Sequence, residues 1–97
     1  MGYETWYELR RTIPEDTIDH EKNIQIKYEE SFEHWIRWHT FEADMIDYST
    51  NYPNTLFEIY TEGLNQGDMI IYYFKNGKMQ KCPAIITYEE FDELKLQ

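Results

Sequence analysis

The sequence predicts an α+β domain built on a largely antiparallel sheet of about five strands. Three observations predict it. Asn76-Gly77 sits between two β-favouring runs, several other runs alternate with a period of two, and residues 31–48 switch to helical spacing. Hairpin-linked strands segregated from helices belong to that class, and 97 residues make one domain, 1–97, with room for a single core.

The elements follow in chain order. Tyr3 to Thr12 alternates, with Tyr3, Thr5, Tyr7 and Leu9 on one face and Glu4, Trp6, Glu8 and Arg10 on the other. Pro14 cannot donate to a ladder and ends that strand. Glu15 to Asn23 is polar and reads as an exposed loop with at most one helical turn from Pro14. Ile24-Gln25-Ile26-Lys27-Tyr28 alternates and predicts a second strand.

From Ser31 to Tyr48 the period changes. Phe32, Trp35, Ile36, His39, Ala43 and Ile46 form one helical stripe, and Trp38, Phe41, Met45 and Tyr48 a second beside it. This spacing predicts a longer helix over about 31–48. The competing reading is a strand around Trp35 to Phe41, because Trp, Ile, Thr and Phe favour strands.

Thr55 to Glu62 is apolar on much of both faces, which suits a central strand. Asp68 to Lys75 and Lys78 to Cys82 flank the Asn76-Gly77 turn, and Pro83 either ends the return strand or places it at an edge. Thr87-Tyr88-Glu89-Glu90 is a capping box that predicts a short C-terminal helix over about 88–95.

Composition narrows the function classes. The aromatic fraction of 18% supplies enough large side chains to build a core and argues against disorder. Nineteen acids against nine bases give a formal net charge of −10, which repels nucleic-acid backbones and anionic membranes and attracts basic surfaces. Cys82 is the single cysteine, so no internal disulfide forms. Together with a start, Met1-Gly2-Tyr3-Glu4, that lacks a basic and apolar leader, this leads to an expected cytoplasmic location.

Chemistry-bearing patterns are weak. His34 and His39 are five apart, on different faces of a helix, and Glu30/His34 alone is a poor chelate. No Cys-x-x-Cys, calcium loop, nucleophile elbow or phosphate loop is present. Cys82 between Lys81 and Pro83 reads as a strand residue, and adjacent carboxylates such as Glu29-Glu30 point apart on a regular element. The expectation is a non-enzymatic chain with no metal and no cofactor.

What remains is partner recognition. Trp6 lies between Glu4 and Glu8, Trp38 and Phe41 lie on the second helical stripe, and Glu29, Glu30, Glu33, Asp44 and Asp47 are placed to line one helix edge. Aromatics in an acidic setting suit Arg- and Lys-bearing partners. These residues predict a binding or inhibitor protein directed at a larger protein with a basic surface. Such a chain would imitate nucleic acid rather than bind it, the make-up of a virus-encoded antagonist of a nuclease or CRISPR effector, or of an immunity protein. Two alternatives stand beside it: a small-molecule sensor or enzyme domain whose pocket is lined by Trp, Tyr and His, and a homodimeric accessory subunit.

Overall fold

The computed structural model describes residues 4–64, 68–84 and 93–95. The described chain runs β1 (Thr5–Ile13), α1 (His20–Tyr28), β2 (Trp35–Ile36), α2 (Phe41–Thr50), β3 (Leu56–Glu62), β4 (Met69–Lys75), β5 (Lys78–Pro83) and a 3-10 turn, Glu93–Lys95. The strands form one antiparallel sheet in the order β2-β1-β3-β4-β5. The fold is α+β, as the alternation and the hairpin signal predict.

Alternation sets the two faces of the sheet. Phe57, Ile59 and Thr61 of β3 pair with Phe74, Tyr72 and Ile70 of β4, and all six look toward the helices. Phe57, Ile59 and Phe74 are fully buried there, beside Ile24 of α1 and Met45 of α2. Each such side chain contributes roughly 1.5–3 kcal/mol by leaving water. The opposite face carries Glu58, Tyr60, Tyr73 and Ile71. Strand β1 follows the predicted alternation as far as Leu9, which pairs with Ile59. A bulge then inserts Arg10, and Arg11 pairs with Glu58. The extra residue leaves Thr12 opposite Phe57.

β3 is central and β5 is an edge strand, as expected. The hairpin turn has φ of 48° at Asn76 and 75° at Gly77, the positive pair a tight primed turn requires.

Two elements differ from expectation. Helix α1 covers residues 20–28, so 24–28 are not a strand and 20–23 are not part of an exposed loop. Asp19 caps the helix by accepting from the Lys22 amide at 3.1 Å. His20 and Ile24 are buried, and Tyr28 packs against the core, at a spacing of four, while Ile26 is 69% exposed. The alternation of Ile24, Ile26 and Tyr28 therefore marked no strand face. The long helix over 31–48 is shorter and starts later, at Phe41. Glu29 and Glu33 take positive φ, 60° and 62°, which interrupts any helix through them. Trp35 and Ile36 instead pair with Trp6 and Thr5, so the strand alternative holds for two residues of its seven. Of the expected C-terminal helix, residues 85–92 lie outside the described residues, and Glu93–Lys95 form the 3-10 turn.

Candidate functional site

The segment 29–34 between α1 and β2 is held at both ends. Glu29 caps α1, its amide donating to the Gln25 carbonyl at 2.9 Å. Phe32 is buried against Trp38, ring centroids 5.7 Å apart, and the Glu33 amide donates to the Tyr7 carbonyl at 2.7 Å. The buried ring and the backbone bond fix the loop, and the side chains between them face water. Glu29 and Glu33 are exposed and Glu30 half-buried. Among the described residues no Lys or Arg lies within ion-pair distance of these three carboxylates.

Their electrostatics show crowding of like charge. Burial and the nearby Asp44 and Glu29 carboxylates push the Glu30 carboxyl above its ordinary range, with His39 opposing. Burial, then Glu33, Asp19 and Glu8, do the same to Glu21. Glu30 thus shares its field with α2, and Glu33 with the start of α1.

The remaining expected site residues divide. Asp44 accepts from the Trp38 indole at 2.8 Å and from the Thr40 hydroxyl at 2.7 Å. Asp47 accepts from the Tyr28 hydroxyl at 2.6 Å and pairs with the Lys27 ammonium at 3.1 Å. The Tyr28 bond, then Lys27, hold the Asp47 carboxyl low. Both aspartates are therefore engaged within the fold. Trp38 and Phe41 correct the expectation of an uncovered stripe. Each is 4% exposed, and both pack on Tyr7 at 5.4 and 4.7 Å, because β1 brings Tyr7 beneath them. Trp6 lies on the sheet face away from the helices, half-buried, 6.1 Å from Trp35. Its backbone borders the end of the acidic loop through Trp35, while its ring lies on the far face of the sheet.

A cavity of about 450 Å³ lies at the N-terminal end of α2, lined by Tyr7, Trp38, His39, Phe41, Glu42 and Tyr72. Sequence reasoning placed His20 in an exposed loop among the weak metal-ligand candidates and missed its burial and its contacts with both Asp16 and Tyr48. The spacing of Asp16, His20, Ile24 and Tyr28, each four from the next, was the available signal. Among the described residues no group of three or more His, Cys, Asp or Glu is arranged to hold a metal ion, and no helix is long and apolar enough to cross a membrane. Comparison with protein-family models, curated proteins and solved structures gives no match for this chain.

Proposed function

We propose that the chain is a non-enzymatic protein-binding module that docks its acidic helix-side surface onto a Lys- and Arg-rich surface of a larger protein. In its most specific form it is an inhibitor that occupies a nucleic-acid groove. The supporting observation is the anchored loop: Glu29, Glu30 and Glu33 stand on a fixed backbone, and among the described residues no Lys or Arg pairs with them. The fixed backbone leaves only the side chains to be ordered on binding, and the summed field of the carboxylates speeds encounter with a basic surface.

Two outcomes of one experiment test this reading. The chain is immobilised, a host lysate is passed over it, and retained protein is eluted with duplex DNA. A groove-occupying inhibitor releases its partner to DNA, and the Glu29→Lys, Glu30→Lys, Glu33→Lys triple variant retains little. Association of the purified partner should slow as salt rises, because exposed charges are screened beyond about 8–10 Å at physiological ionic strength. Equal retention by the folded triple variant would sink the reading.

The small-molecule alternative draws on a different observation, the cavity lined by Trp38, Tyr7, Tyr72 and His39. Its volume falls within the range of about 300–1,000 Å³ typical of ligand sites. A saturable thermal shift from a cationic metabolite, without any protein partner, would favour it.

A further inference from the structure

The cavity at the N-terminal end of α2 is aromatic below and anionic at its rim. Tyr7, Phe41 and Trp38 pack ring against ring, with centroids 4.7 to 5.4 Å apart, and Tyr72 joins them 5.1 Å from Phe41. All four are largely buried, so what they offer the cavity is the rim of a rigid cluster. Glu42 lies at the edge, exposed.

The chain already places one of its own cations here. The Lys81 ammonium lies 5.8 Å from the centre of the Tyr72 ring and 4.0 Å from the Glu42 carboxylate. Both contacts are long, and the Lys81 side chain is about half exposed. The position suits a cation and is loosely filled. The two tyrosines that line it report the same field. Burial first, then Glu42 among other carboxylates, pushes Tyr72 up to about 12, and burial, then Glu30 and Glu42, raises Tyr7.

We propose that this cavity receives an arginine side chain of the basic partner protein, its guanidinium lying against the aromatic rim and donating to the Glu42 carboxylate. The inference rests on the reading of the chain as a binder of basic surfaces and names the feature of the partner that is recognised. Arginine fits better than lysine because its planar fork can donate two parallel bonds to one carboxylate and its weakly hydrated plane is the easier of the two to bring against an apolar rim. A lysine would offer only the point charge that Lys81 already supplies.

The test uses the full chain, isotopically labelled, titrated with an arginine–glycine repeat peptide and with its lysine–glycine counterpart while amide shifts are followed. The arginine peptide should move the amides of Thr40, Phe41, Glu42 and Tyr72 saturably, and more tightly than the lysine peptide does. Glu42→Gln, at an exposed position, should weaken it roughly tenfold, the worth of one charge-assisted hydrogen bond. The loop variant with Glu29, Glu30 and Glu33 changed to Lys should bind more weakly while the cavity amides still move. Shifts confined to residues 29–33, with Glu42→Gln binding like the parent, would overturn the arginine cavity and leave the acidic docking reading standing. Equal cavity binding by the lysine peptide would also overturn it. No saturable shift with either peptide would overturn both.

Discussion

The imidazole of His20 bridges Asp16 and Tyr48: Nδ1 lies 2.7 Å from the Tyr48 hydroxyl and Nε2 lies 2.9 Å from the Asp16 carboxylate. An ionised Asp16 can only accept, so Nε2 donates to it, while Nδ1 and the Tyr48 hydroxyl share the second bond. The rings of Tyr48, Tyr52 and Phe57 meet the imidazole edge-on at 4.8 to 5.7 Å. One side chain thereby ties the 14–19 loop, α1, α2 and the sheet together.

Tyr48→Phe should therefore destabilise the fold by about 1–3 kcal/mol, because it removes the hydroxyl partner of the buried Nδ1. Urea denaturation reads this directly. A midpoint equal to that of the parent would show that the bridge contributes nothing.

Acidification should weaken the fold through two aspartates. The His20 bond is the main cause that holds the Asp16 carboxyl low, and the Tyr28 bond is the main one for Asp47. A folded pKa below the unfolded one gives stability that is present above the unfolded value, about 3.9, and lost as pH falls through the folded value. The urea midpoint should decline below about pH 4, and Asp47→Asn should flatten part of that decline. An identical pH profile for Asp47→Asn would contradict the assignment.

Glu30 carries the opposite sign. Burial, Asp44 and Glu29 raise its folded pKa, so its ionised form costs stability at neutral pH and the cost disappears as pH falls to the unfolded value. Glu30→Gln should raise the melting temperature at pH 7 by a small amount, and the gain should vanish in acid. A lower melting temperature at pH 7 would show that Glu30 makes a stabilising contact.

Gly77→Val should cost roughly 1–3 kcal/mol, because a β-branched residue resists the φ of 75° found there. An added Cβ would also stand 3.1 Å from the Thr50 methyl group. Calorimetry on the variant checks it, and an unchanged melting curve would reject the turn geometry.

The legible parts of the fold were those with a strong local cause. Asn76-Gly77 demands positive φ, and the two-sided apolar pattern of Thr55 to Glu62 demands a central strand. Residues 24–28 were ambiguous because Ile24, Ile26 and Tyr28 fit a period of two, while the deciding partner, His20, lay outside that window. Residues 31–40 were misread because Glu29 ends α1 as a left-handed cap and Glu33 takes positive φ where non-local contacts, the Phe32 anchor and the bond to the Tyr7 carbonyl, hold the loop. The candidate site divides along the same line. Glu29, Glu30 and Glu33 could be picked out by charge alone. The burial of Trp38 and Phe41 is decided by Tyr7, about thirty residues earlier on another element.

The tip of the β4–β5 hairpin does not hang free, since the Gly77 amide donates to the Ser49 hydroxyl of α2 at 2.8 Å. A turn amide would ordinarily trade its proton for deuterium within the fastest class. This one cannot do so until the helix lifts from the sheet or the serine rotates away. Its exchange rate therefore times the opening of one named contact between α2 and the hairpin tip, readable without a probe and set by a bond that Ser49→Ala would remove.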